Sequence, residues 1–134
     1  MPTEIVILSR VFKTAWFAKA SRKAGITDKQ LCFAIAQVMQ GQADDLGGGV
    51  FKKRLNDNRH RSIILAKGVR YWIYEYLFAK QDRDNIDADE LAAFRALAKN
   101  YAELSEAQVT ELVKQRFFVE TCDGDEAKIQ ELGI

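Results

Sequence analysis

The stretch FKKRLNDNRHRS, residues 51 to 62, gathers Lys52, Lys53, Arg54, Arg59, His60 and Arg61 against a single acid, Asp57. Such a set suits a polyanion, because Lys and Arg contact phosphates and each neutralised phosphate releases counterions. Exposed aromatics nearby could stack on unpaired bases, worth about 1–3 kcal/mol per base. In RNA the 2′-hydroxyl is a nucleophile placed beside its own phosphate. Cleavage then requires alignment, a proton acceptor and positive charge on the developing phosphorane. Lys and Arg can supply that charge without a metal. A Lys crowded by other cations, or His60, could take the proton. Blander roles compete: Lys52 and Lys53 could guard an edge strand against aggregation, and Trp72, Tyr74 and Phe78 read as core before they read as stacking platforms.

Other chemistries find little support. One histidine and two cysteines make no metal cluster, and the chain carries no Walker loop, nucleotide fingerprint or nucleophile motif to accompany a triad. Three consecutive glycines at 47–49 could cradle a phosphate, but no helix start follows them, and a flexible turn is the preferred reading. A length of 134 residues, 48% of them hydrophobic and 29% charged, fits one globular domain with a real core. The charge is uneven. Residues 1–83 hold fifteen Lys/Arg and seven Asp/Glu, whereas residues 84–134 hold five and twelve. A basic face for an anionic partner and an acidic segment with another task would explain this. Cys32 and Cys122 read as free thiols in a reducing compartment, with Cys32 a small core residue. The start, MPTEIVILSRVFK, lacks the features of a signal peptide, and no apolar run reaches the roughly 20 residues that cross a bilayer. A cytoplasmic protein without membrane contact is expected.

The elements that must position these groups follow from periodicity. IVILSRVFKT predicts a strand over about 5–13. AWFAKASRKAG predicts a short amphipathic helix with Trp16, Phe17 and Ala20 on its apolar side, stopped at Gly25. Thr27 and Gln30 form a capping box for a second helix, whose stripe is Leu31, Ala34, Ile35, Val38 and Met39. GQADDLGGG reads as a loop. Strands are expected over 50–55, 61–67 and 70–80, the last two joined as a tight hairpin. Strict alternation would put Arg70, Trp72, Tyr74, Tyr76, Phe78 and Lys80 on one face of the last strand. Asp87 with Glu90, and Ser105 with Gln108, open two further helices. RFFVET allows a final short strand, before a polar tail. The order implies a single α+β domain over 1–134, with helices stacked on one side of a sheet.

Several segments in this order, RVFKTAWFAKASRKAGITDKQL, DLGGGVFKKRL and FAKQDRDNIDADELAAFRALAK, resemble the RelE-type toxins of bacterial toxin–antitoxin systems. More narrowly they resemble the HigB-like branch of the RelE/ParE superfamily, over roughly residues 10–119, with 120–134 left as a polar tail. The resemblance implies a RelE-like α+β fold: an N-terminal strand, two helices, an antiparallel sheet, and C-terminal helices packed alongside. It implies ribosome-dependent, cofactor-free cleavage of mRNA that inhibits translation. It also implies a cognate antitoxin with a DNA-binding helix-turn-helix. Carried across, Lys53, Arg54, Arg61 and Lys80 would bind phosphate and stabilise the transition state, with Lys52 and Arg83 assisting. Where relatives show a Gly-Gly-Tyr-Arg segment, this chain has Asn58-Arg59-His60-Arg61. His60 could keep an acid–base or stacking role there, and Arg59 would add an RNA contact. Two alternatives stay open: a ParE-like toxin that binds a protein such as DNA gyrase, and a non-catalytic nucleic-acid-binding regulator.

Overall fold

The computed structural model describes residues 9–68 and 70–122. The elements run β1 (Arg10–Thr14), α1 (Ala15–Lys23), α2 (Asp28–Met39), β2 (Asp44–Gly47), β3 (Val50–Leu55), β4 (His60–Lys67), β5 (Tyr71–Ala79), α3 (Ala88–Ala102), α4 (Glu106–Lys114) and β6 (Phe118–Glu120). These strands form one sheet in the order β2-β3-β4-β5-β1-β6, antiparallel except where β1 runs parallel to β5. This is the expected α+β class. The expected first strand is seen as 10–14, its residues 5–8 lying outside the described residues, as does the tail beyond Cys122. The capping boxes at Thr27/Gln30, Asp87/Glu90 and Ser105/Gln108 all form. Each satisfies two backbone donors that would otherwise be orphaned at a helix start.

The helices cover both faces of the sheet, not one. Phe17 of α1 and Leu31, Ile35 and Val38 of α2 pack with Leu55, Ile64 and Tyr74. Ala98, Leu91, Phe94 and Leu97 of α3 pack with Val50, Ile63 and Leu65. Val109 of α4 joins Phe12, Tyr71, Ile73 and Phe118. Adjacent residues Ile63 and Ile64 thus serve different cores, as alternation along β4 requires. A helix pair cannot bury both faces of a mixed sheet, and the acidic second half supplies the missing layer.

Alternation along β5 fails at one point. Ile63 pairs with Tyr76 but Ile64 pairs with Tyr74, so Glu75 has no partner on β4 and forms a bulge. Trp72 and Tyr74 face α1 and α2, whereas Tyr76 and Phe78 face α3. The expectation that all four share a face is therefore wrong, and one extra residue is the reason. Glu75 accepts a hydrogen bond from Tyr101 of α3 at 2.7 Å.

Three further expectations are corrected. The 41–49 segment is not all loop, because Asp44–Gly47 pairs with β3 and forms the sheet edge. Lys52 and Lys53 accordingly lie on an interior strand and guard no edge. Cys32 and Cys122 are not free thiols but a disulfide, with Cα atoms 5.7 Å apart, tying the end of β6 to α2. Two cysteines 90 residues apart gave no spacing signal, and only the return of β6 beside β1 brings them together.

The three glycines close a turn under α3. Gly47, Gly48 and Gly49 all have positive φ, and Arg95 lies against Gly47 and Gly48 with Nη2 donating to the Leu46 carbonyl. A Cβ on Gly48 would stand 2.9 Å from Arg95 Cγ. The glycines thus admit Arg95 rather than a phosphate.

Candidate functional site

Strand pairing decides which basic residues can act together. Directly opposed residues in an antiparallel pair share a face. Arg54 stands opposite Arg61, and Arg61 opposite Phe78. Lys52 shares their face, two residues before Arg54. Lys53 stands opposite Ser62 and His60 opposite Leu55, on the other face. The eight sequence-derived site residues therefore divide. Lys52, Arg54 and Arg61 lie on the face that α3 covers only in part, and Arg83 joins them from the loop after β5. Lys53 and His60 face the α1/α2 side, with Arg59 and Lys80 at the rim.

On the open face, Lys52 Nζ donates to Asn85 Oδ1 at 3.3 Å and stands 3.8 Å from Asp44. Arg61 is buried, and its Nη1 donates to the carbonyls of Asn58 at 3.0 Å and His60 at 3.2 Å. It thereby ties the β3–β4 turn, in which Asn56, Asp57 and Asn58 all adopt left-handed φ values. Asn and Asp tolerate that region better than most residues, which accounts for the NDN sequence. Arg54 is exposed. Arg83 sits 5.5 Å above the Phe78 ring and donates to Glu90 and to the Asn85 carbonyl. Their mutual hydrogen bonding raises the pKa of Arg83 and lowers that of Glu90.

At the turn, Asp57, Asn58, Arg59, His60, Lys80, Gln81 and Asp84 border an open cavity of about 740 Å³. Burial lowers the His60 pKa, Arg59 lowers it further, and Asp82 opposes both, so the imidazole is neutral at pH 7. His60 Nδ1 lies 3.2 Å from Asn56 Nδ2. With Nδ1 accepting from that amide, Nε2 carries the proton and acts as a donor. Lys53 Nζ donates to the Gln42 carbonyl at 2.9 Å. Desolvation, then the Arg54 charge, lowers its pKa.

Two aromatics of this region, Trp16 and Tyr76, are not among the sequence-derived site residues. Periodicity puts Trp16 on the buried side of α1, yet it is 52% exposed and stacks on Tyr76 of the open face, centroids 5.2 Å apart. It occupies the first turn of α1, where helical periodicity says little about direction. Tyr76 reaches that face only through the Glu75 bulge, which leaves no mark in the sequence. Tyr74 and Phe78 are buried, as expected of core aromatics.

Among the described residues no His/Cys/Asp/Glu cluster could hold a metal ion, and no helix is long and apolar enough to cross a membrane. A mostly antiparallel sheet with helices on both faces and a cationic, half-covered surface is the frame of a small RelE-like protein. The model of the family described as RelE toxin of the RelE / RelB toxin–antitoxin system matches residues 9–121, and the chain belongs to that family. It is the toxin component of a toxin–antitoxin system, and its partner is an antitoxin. No curated protein and no solved structure matches the chain.

Proposed function

We propose that this toxin is a metal-independent, ribosome-dependent mRNA endoribonuclease of the HigB-like branch, acting in the cytoplasm and held in check by a helix-turn-helix antitoxin. The observation that carries this reading is the cross-strand pair Arg54–Arg61 beside Lys52. Like charges directly opposed on a sheet repel, and a bound phosphate between them would turn that repulsion into attraction.

In the reaction the 2′-oxygen attacks the adjacent phosphorus while the bond to the 5′-oxygen breaks, giving a 2′,3′-cyclic phosphate and a 5′-hydroxyl. The proton of the 2′-hydroxyl goes to a base and the leaving oxygen gains one. Arg54 and Arg61 neutralise the phosphorane, and Lys52 and Arg83 hold flanking phosphates. Lys53 projects from the other face of the sheet, so the proton of the 2′-hydroxyl passes to solvent water, and Lys53 is left as a cation for RNA that crosses the sheet edge. The leaving oxygen takes its proton from solvent water, the neutral His60 offers Nε2–H as a hydrogen-bond donor to RNA at the turn, and Arg59 and Lys80 guide RNA past it.

Inducible expression with primer extension on cellular mRNA tests the reading. Wild type should arrest growth and produce discrete cuts. Arg54→Ala should reduce cutting about a hundredfold, the scale of losing one oxyanion-stabilising donor. Arrested growth with intact mRNA would sink it. Phe33 and Phe117, 66% and 59% exposed, favour a second reading, a ParE-like toxin that binds a protein such as DNA gyrase. Loss of supercoiling with uncut mRNA would select that reading.

A further inference from the structure

Among the described residues, Trp16 is the one exposed large aromatic that is stacked in a series of rings leading to the basic face. Its ring lies on Tyr76 at an interplanar angle of 24°. Tyr76 is backed by Phe78 and Phe94, each with centroids 5.9 Å away. Arg83 lies over Phe78, so the Tyr76 and Phe78 rings link Trp16 to a cation of the site. Tyr76 shares its sheet face with Arg61 and Lys52. The other exposed aromatics, Phe33 and Phe117, take part in no such stack among the described residues.

A hydrophobic residue kept half in water on a rigid aromatic backing serves folding poorly. Complete burial of a Trp is worth far more to a core than a half-exposed stack. The same geometry serves a ligand with a flat π-face well. Unpaired nucleobases are such ligands, and stacking tolerates any base identity while nearby cations hold the flanking phosphates. The backing rings fix the Trp16 plane before binding, which lowers the ordering cost of the complex.

We propose that Trp16, seated on Tyr76, stacks on an unpaired base of the RNA next to the phosphate held at Arg54 and Arg61. It is a positioning and specificity-determining residue rather than a catalytic one. The proposal rests on the reading of the basic face as an RNA site, but its test is separable from the test for cleavage.

The experiment titrates full-length protein with a short single-stranded oligonucleotide whose 2′-hydroxyls are removed, so that it cannot be cut. Tryptophan emission and anisotropy report binding. Wild type should bind with quenched emission. Trp16→Ala should bind at least tenfold more weakly and lose the quench, since Trp72 is largely enclosed against Phe51. Trp16→Phe should recover most of the affinity. Trp16→Leu, similar in apolar character but without a π-face, should not. One member of a set of oligonucleotides, each with a single abasic position, should bind wild type and Trp16→Ala alike. Equal affinity of Trp16→Ala and wild type overturns the proposal, as does full recovery by Trp16→Leu. Binding that depends on Trp16 without mRNA cleavage in cells would keep the stacking role and remove the nuclease. Cleavage at unchanged positions and KM in Trp16→Ala would keep the nuclease and remove the stacking role. No binding by wild type would remove the stacking role outright.

Discussion

The two faces of the sheet are built for different ends. Toward α1 and α2 the surface is closed: Phe17, Leu31, Ile64 and Tyr74 have no solvent exposure, and the Tyr74 hydroxyl donates to the Leu31 carbonyl at 2.7 Å. Toward α3 the cover is partial. Val50, Ile63 and Leu65 are sealed under Ala98 and Leu97, but along the same face Arg54 comes out from under the helix beside a partly buried Lys52, and Tyr76 with Trp16 borders them. One layer concentrates packing, and the other gives up packing to present charge and π-surface. Changes on the closed face should therefore move stability and spare ligand binding, and changes on the open face should do the reverse.

The largest stability effect expected lies on the closed face. The Cys32–Cys122 bond closes a loop of about ninety residues and ties β6 to α2 within the α1/α2 core. Restricting the unfolded chain over such a loop is worth about 4–5 kcal/mol on a chain-entropy account. Cys32→Ser with Cys122→Ser, or wild type under reductant, should show a large fall in urea midpoint. Oligonucleotide affinity measured below that midpoint should be unchanged. A double variant as stable as wild type would break the distinction between the faces, because the closed one would then not depend on its clamp.

A smaller effect belongs to the partly covered face, where α3 meets the β2–β3 turn. Gly48 has φ +64° and its missing Cβ is where Arg95 lies. Gly48→Ala should cost about 1–2 kcal/mol from the left-handed backbone alone, and more from contact with Arg95. Arg95→Ala in the same chain should restore only the contact part, as a double-mutant cycle on denaturation midpoints would show. Complete restoration would mean that the backbone conformation carries no cost.

How much of this is legible in the sequence depends on the range of the signal. Local signals read well: the three capping boxes, the α2 stripe and strands β3 to β5 within a residue or so. The basic turn is visible as composition, and the family segments place it in a fold. What fails is non-local. Nothing near Cys32 indicates Cys122. Strand β2 is too short and polar to announce itself, and is a strand only because β3 pairs with it. The bulge at Glu75 exchanges the faces of Tyr76 and Phe78 through a pairing choice made by β4. For the site, the residue types are readable but their grouping is not. Lys53 and His60 sit beside Arg54 and Arg61 in the chain and on the opposite side of the sheet.

That bulge supplies the subtlest prediction. Burial raises the Glu75 pKa above the usual carboxylate value of 4.5, and the bond from Tyr101 opposes the shift in part. An acid whose folded pKa is raised binds its proton more tightly in the native state. From about pH 4.5 upward the unfolded chain ionises first, so stability falls as pH rises, and the loss is complete once pH passes the folded pKa. Glu90 has the reverse slope, because its folded pKa is lowered, and total stability conceals both. The difference between wild type and Glu75→Gln isolates one. The introduced amide keeps an oxygen to accept from Tyr101 and has no charge to bury, so the variant should gain on wild type in urea midpoint from pH 4.5 toward neutrality. A constant difference across that range would mean that Glu75 is solvated in the folded state. The bulge would then be a surface irregularity, with no partly desolvated acid at the point where the strand changes face.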